Sequence, residues 1–515
     1  MRRSSKKSCS LDPIPSKLLD QCDVLLPVIT RLINMSLMSG VFPDVWKKAL
    51  ITPLLKKPEL DIDFQNFRPV SNLSFISKLA EKAVFYQVQD HLLKNNVYPE
   101  NQSAYRRNYS TETLLLKVKN DLLLNMNKQH VTLLVLLDLS AAFDTVDHNV
   151  LINRLYTKCG ISDVALMWFE SYLKDRSQRV IVNGAESSNF DLKFGVPQGS
   201  CLGPLLFTIY AGELSEIVKS HLPTVMCYAD DTQLYVSFSP KDDCGEGEAV
   251  DAMRRCIDDI RDWMMKDKLQ LNTDKTELLL IGTKQQLAKV NNSHIYVGND
   301  EISPSITVKN LGVWLDSSLT MNTHINKTCS IAFYHLYNLR RIRKYLSKES
   351  TEILIHALIS SRIDYCNSLY YGLPAYQIHK IQRVQNAAAR LILKASKFCH
   401  VSPLLYDLHW LPVRQRILFK ILLITYKAVN NLAPNYITDL IQFKMPGRYR
   451  LRSGNDNLLL ENIRYKTYTT LGDRSFQVAA PNLWNKVPFI IRNSASVCSF
   501  KKAIKTYLFK DAFNL

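Results

Sequence analysis

TVMCYADDTQLYVSF, running from Thr224 to Phe238, is the stretch whose reading decides the fold. An apolar run reaches Tyr228 and Ala229, two carboxylates follow at Asp230 and Asp231, and Leu234, Val236 and Phe238 alternate along a second β-prone run. Apolar strand, two-residue polar tip, apolar strand predicts a β-hairpin, although Asp-Asp lacks the glycine that favours the tightest turns. Two carboxylates 4 Å apart repel by roughly 4 kcal/mol at an effective dielectric near 20. A solvated tip absorbs that repulsion at little cost, and most Asp-Asp turns are of this kind. A bound cation absorbs it too, and a third carboxylate brought to the same place favours the cation.

That third carboxylate ends the apolar run Val131–Leu137 at Asp138. Such a run predicts a central strand covered on both faces, with the aspartate at the sheet edge where a ligand sits. Ser140 to Asp144 then turn into a helix through Leu155. One strand-end aspartate and a hairpin-tip pair, all hard oxygen donors, form a constellation suited to two Mg²⁺ in phosphoryl transfer.

The chain has 515 residues, enough for two to four packed units. Its net charge is +18, and the distribution is uneven. Residues 321–515 hold 29 Lys/Arg against 9 Asp/Glu, so all the excess positive charge lies in the C-terminal two-fifths. Interleaved with Tyr, Phe and Trp, it predicts a polyanion partner, nucleic acid above all; a solvated basic surface is the plainer reading. Eleven cysteines without C-x-x-C or a Cys/His cluster argue against a zinc knuckle and a disulfide framework and fit a reducing, intracellular compartment, nuclear or cytoplasmic. The basic start (Arg2, Arg3, Lys6, Lys7) lacks the apolar stretch of a secretory signal, and no apolar run is long enough for a membrane helix.

Along the chain, residues 11–48 read as helical, ended by Gly40 and Pro43. Ala49–Leu54 predicts a strand, and Asn66–Ser71 a turn opening a helix over 74–94. Ser110 caps a helix over 111–127. Lys56, Arg68, Arg106 and Arg107 converge on phosphates or are ordinary surface charge. Arg176–Val182 and Phe190–Phe194 pair around Asn183-Gly184, and Gly195–Ser200 is a loop that lets backbone approach a nucleotide, or a plain connection to a helix over 202–219. An amphipathic helix covers Glu246–Leu269. Leu271–Glu277 then enters a strand through Ile281, with Lys275 a proton donor near phosphate or simply exposed. Val308–Asp316 is a further strand pair or turn. Basic helices follow over 323–346, 349–371, 376–395 and 412–430, and Pro446-Gly447, Pro481 and Pro488 break the rest.

Leu137–Asp144, Gly195–Ser200, Tyr228–Asp231, Leu271–Glu277 and Leu311-Gly312 resemble, in order and spacing, the five palm motifs of reverse transcriptases. Asn66–Ser71 with Lys78, and Gln102–Thr111, are similar to the fingers motifs of non-LTR (LINE-type, jockey-like) retrotransposon enzymes. The resemblance spans roughly 45–320. Ala479–Asn485 resembles the region after the polymerase core of the same elements.

The resemblance implies an α+β right-hand polymerase with fingers (45–130), an antiparallel-sheet palm (131–320) and a helical thumb (321–400). A helical extension (1–44) precedes it and a basic region (401–515) follows. It implies an RNA-directed DNA polymerase acting on an RNA template, a DNA primer or target, and dNTPs. Asp138, Asp230, Asp231 and the Leu139 carbonyl would hold two Mg²⁺, with Mn²⁺ as a substitute. Arg106 with Arg68 or Lys78 would hold the triphosphate, and Gln198 and Gly199 would line the nucleotide pocket. Lys275 would protonate pyrophosphate, and Leu311-Gly312 would support the primer end. Phe143 would lie beneath the sugar, where a phenyl wall collides with a 2′-hydroxyl; its plainer role is core packing. Ala104 stands where many relatives carry glycine, which leaves that loop's conformation open. The short stretch before the fingers implies a truncated element without its endonuclease, which a separate protein would then supply. The alternatives are a catalytically idle nucleic-acid-binding remnant and a two-metal nuclease.

Overall fold

The structure, a computed structural model, describes every residue except 1–8, 13, 20, 58, 141, 142, 292, 293, 445–457 and 463–469. The basic start, Ala141, Ala142 and the Pro446-Gly447 break therefore lie outside the described residues. The chain divides into two compact units: 1–105, 137–232 and 255–275 form the first, and 106–136, 233–254 and 276–515 the second.

In the first unit the Lys48–Leu55 strand pairs antiparallel with Phe67–Leu73 and parallel with Arg176–Val182. Asn66–Ser71, read as a turn, is thus largely strand. Pro53 and Pro69 face each other in the ladder, so the two residues that cannot donate sit at one site rather than two. The helix Phe75–Lys94 follows, capped by the Ser74 hydroxyl. The hairpin around Asn183-Gly184 forms as expected, both residues taking positive φ. Two expected helices are shorter than read. Residues 11–48 yield the α-helices Ser16–Leu19 and Leu25–Ser39, the latter ended by a left-handed Gly40, and a short 3₁₀ turn at Asp44–Trp46. Residues 202–219 divide into Gly203–Tyr210 and Leu214–His221, interrupted at Gly212, a poor helix former.

The core of this unit is aromatic. Phe42 is fully buried, its ring edge-on to Trp46, Trp168 and Tyr172 at centroid distances of 5.6, 5.3 and 5.1 Å. Arg176, also buried, lays its guanidinium over Tyr172 at 4.7 Å. Glu81 is buried nearby; desolvation raises its pKa against the opposing charge of Arg176, and it accepts the Cys201 backbone N–H. One carboxylate of the helix Phe75–Lys94 thereby anchors the start of Gly203–Tyr210.

In the second unit the Val131–Leu137 strand is buried at six of seven positions and lies between Glu277–Ile281 and Asp231–Phe238, as a nearly all-apolar run should. The helix Thr111–Asn127 begins with a capping box between Ser110 and Thr113. Thr307–Asn310 and Val313–Asp316 form a hairpin whose turn, Leu311-Gly312, has positive φ at both residues. Long helices follow at Asn322–Ile342, Ala375–Leu393, Val413–Val429 and Val497–Phe513. The expected helix over 349–371 is segmented, with a wide turn at His356–Ser360. Trp484 of the Ala479–Asn485 stretch is wholly buried among Tyr426, Phe500 and Ile504. Among the described residues no helix is long and apolar enough to cross a membrane.

Truncating Phe42 removes a ring enclosed by three others. Phe42→Ala is expected to lower unfolding stability by about 3–5 kcal/mol, read from denaturant midpoints.

Candidate active site

The apolar strand Thr224–Tyr228 leads into a turn formed by Ala229 and Asp230, and Asp231 is the first residue of the outgoing strand. The expected hairpin is present, displaced by one residue from an Asp-Asp tip. Ala229 carries the positive φ of +58° that such a turn requires, a geometry unfavourable for a residue with a Cβ.

Asp138 leaves the end of Val131–Leu137. Its position is held by backbone: Asn272 N–H donates to the Asp138 carbonyl at 2.9 Å, and Leu139 pairs with Leu271. This pairing carries Lys275 to the same place, where its Nζ lies 2.6 Å from Asp138 Oδ2. Asp138, Asp230 and Asp231 share one electrostatic neighbourhood. Burial raises the pKa of Asp230, and the charge of Asp138 adds to it, while Lys275 and Arg68 oppose the shift. Asp231 is pushed up to about 6 by burial first, then by Asp230 and Asp138, against the opposing charge of Lys275. Among the described residues no three His, Cys, Asp or Glu side chains are gathered as a finished metal cage. The donor set nevertheless fits a hard divalent cation: crowded carboxylates whose charge the protein itself neutralises only in part.

The other site residues of the first unit come together around the 195–200 loop. Gly195 N–H donates to the Val146 carbonyl at 2.8 Å, and Val196 N–H to the Phe143 carbonyl at 2.9 Å. Phe143 is half-buried, its ring 5.0 Å from that of Phe207, so one face packs on the core. Gln198 Nε2 donates to Asp144 Oδ2 at 2.7 Å, and its carbonyl accepts from Ser71 N–H at 2.8 Å. Gly199 has φ +139°, and a Cβ there would stand 2.4 Å from the Ser71 carbonyl oxygen. The loop and the Phe67–Leu73 strand are therefore in backbone contact, which brings Gln198 and Gly199 to the strand that carries Arg68. Lys78 is within electrostatic reach of Glu81 and Cys201, just before Gly203–Tyr210, where its charge opposes the pKa shifts of both groups.

Arg106, Leu311 and Gly312 belong to the second unit. The Arg106 guanidinium lies 4.1 Å above the Tyr109 ring, and Tyr365 Oη donates to the Leu311 carbonyl at 2.7 Å.

Two partners escaped the sequence reading. Asp144 orients Gln198, and Gln102 engages the Ala229–Asp230 turn through two hydrogen bonds and its own loop through a third: its Oε1 accepts from Ala229 N–H (2.8 Å) and Ala104 N–H (2.9 Å), and its Nε2 donates to the Ala229 carbonyl (3.0 Å). No local pattern announces a bond spanning 127 residues. The positive φ angles of that loop fall on Tyr105 and Asn108, so Ala104 needs no glycine. Tyr105 itself feels Asp230: burial and that charge raise its pKa.

A protein-family model described as reverse transcriptase (RNA-dependent DNA polymerase) matches residues 55–315. The probable RNA-directed DNA polymerase from transposon BS of Drosophila melanogaster is 27% identical over 428 residues, covering 80% of this chain and 46% of that protein. The RNA-directed DNA polymerase from mobile element jockey of Drosophila funebris is 24% identical over 400 residues, covering 75% and 42%. The chain thus spans less than half the length of these curated relatives. Among solved structures, apo telomerase from Candida tropicalis is similar with a TM-score of 0.38 at 13% identity, covering 75% of this chain and 70% of that one.

The contact between Gly199 and Ser71 tests the loop placement. Gly199→Ala is expected to cost more than about 1 kcal/mol of stability, seen as a lowered denaturation midpoint.

Proposed function

Because the chain belongs to the reverse transcriptase (RNA-dependent DNA polymerase) family, we propose that it is an RNA-directed DNA polymerase of the jockey-like retrotransposon kind. It extends the 3′ end of a DNA primer with dNTPs on an RNA template, inside the cell. Residues 45–130 serve as fingers, 131–320 as palm and 321–400 as thumb. The observation that carries the reading is the shared electrostatic neighbourhood of Asp138, Asp230 and Asp231, which reach it from a strand end and a hairpin turn.

Asp138, Asp230, Asp231 and the Leu139 carbonyl would hold divalent cations, Mg²⁺ by preference. Such ions, when bound, activate the attacking oxygen and stabilise the leaving one. The chain's own residues do the rest. Lys275, now paired with Asp138, is placed to hold a proton for the departing pyrophosphate. Arg68, whose charge reaches Asp230, offers a guanidinium fork to phosphate oxygens, with Lys78 and Arg106 as further cations. Gln198 and Gly199 shape the pocket beside the incoming nucleotide, and Asp144 fixes the Gln198 amide. Phe143, backed by Phe207, walls the sugar and excludes a 2′-hydroxyl. Leu311-Gly312, steadied by Tyr365, supports the primer end.

Primer extension on oligo-dT-primed poly-rA tests the proposal. Wild type is expected to synthesise DNA, and Asp230→Asn or Asp138→Asn to reduce synthesis to background. RNA binding that falls with salt, without any synthesis by the wild type, would instead select an idle nucleic-acid-binding protein. Phe143→Ala should raise ribonucleotide incorporation at least about tenfold relative to dNTPs, equivalent to ~1.4 kcal/mol of lost steric discrimination. Unchanged sugar selectivity would return Phe143 to core packing.

A further inference from the structure

We propose that Gln102 is a positioning residue for the catalytic turn, its side-chain amide holding Ala229 in the left-handed geometry from which Asp230 and Asp231 are presented. The inference deepens the polymerase reading and rests on it. It starts from a conflict in the turn. Two-residue hairpins that need a positive φ favour Gly, Asn or Asp there, and this one has Ala229 at +58°. The turn is also loaded electrostatically, since Asp230 and Asp231 repel each other and Asp138. Something outside the hairpin must hold it.

The geometry of Gln102 meets that need. The residue is 5% exposed, and its side chain bonds both backbone groups of Ala229: Oε1 accepts from the N–H and Nε2 donates to the carbonyl. Gln102 Oε1 also accepts from Ala104 N–H, which locks the amide to its own loop. That loop is docked in turn. Cys227 N–H donates to the Asn101 carbonyl at 3.0 Å and Ser103 N–H to the Cys227 carbonyl at 2.9 Å, a one-residue parallel bridge alongside the incoming strand. Tyr98 Oη donates to the Ala104 carbonyl at 3.3 Å. The amide thus reaches the turn from a frame registered against the strand that delivers it. Because Asp230 is the next residue, a rotated Ala229 peptide would swing its carboxylate away from Asp138. Gln102 need not touch substrate or metal; it sets where the metal-facing carboxylates stand.

Gln102→Met keeps the length of the side chain and removes the amide. In the full chain, Mn²⁺ alone serves as the probe, its free concentration read by electron paramagnetic resonance, with Asp230→Asn defining the site. Mn²⁺ affinity and kcat for single-nucleotide addition are each expected to fall roughly tenfold or more, the usual effect of losing a partner that orients a ligand. Melting temperature and template–primer affinity should stay near wild type, which a merely structural role for Gln102 would not allow. Gln102→Glu, which keeps the acceptor and loses the donor, should fall between, and it carries the test if the Met variant does not fold. Mn²⁺ affinity and kcat within about twofold of wild type in a folded variant would overturn the proposal. If the wild type itself makes no DNA, the polymerase reading has failed, and the Mn²⁺ measurement still decides the clamp.

Discussion

Repulsion among three carboxylates is the constraint the site is built around. Burial raises the cost of charging Asp230 and Asp231, the charges of their carboxylate neighbours add to it, and Lys275, Arg68 and a backbone hydrogen bond at Asp230 lean the other way. Left to themselves, such groups separate or pick up protons. The chain prevents separation by mounting them on strands. Asp138 ends a strand buried at almost every position, and Asp230 and Asp231 sit where a second apolar strand turns into a third. Strand ends move little, so strain that would relax in a loop is held.

The parts of the site that are not strand are held by a different device. An irregular segment near a site still has backbone N–H and C=O groups to satisfy, and no ladder satisfies them. Long polar side chains do so instead. Gln102 takes both groups of Ala229, and Glu81 takes the N–H of Cys201 where the 195–200 loop enters its helix. In the second unit, Asn485 does the same for Leu460, accepting its N–H and donating to its carbonyl at 2.9 Å each. An amide is suited to this work because it carries donor and acceptor at peptide spacing. It also binds without adding charge, which matters beside carboxylates that already repel.

The strands and helices that are regular were legible in the residues. Val131–Leu137 reads as a buried strand because all but one of its side chains are apolar, and Thr111–Asn127 reads as a helix because Ser110 opens it with a cap. The misses have separate causes. Asn66–Ser71 looked like a turn because Pro69 and Asn66 are turn formers, yet a partner strand with its own proline opposite made it a ladder. The helix expected over 202–219 broke because Gly212 weakens it, a small preference that periodicity conceals. The hairpin tip lies one residue earlier than read because Ala229, not an aspartate pair, takes the positive φ.

By itself the sequence determined the carboxylates, their order and the kind of element that carries each, because strand, turn and cap signals are local and survive in any window of ten residues. It also determined the family, through motifs whose order a chance sequence does not reproduce. Tertiary structure alone decided that Lys275 reaches Asp138, that Gln198 leans on Asp144, and that Gln102 grips Ala229. These are hydrogen bonds between side chains and groups tens to more than a hundred residues away. Their energy depends on distance and direction in space, which no local pattern of residue types encodes.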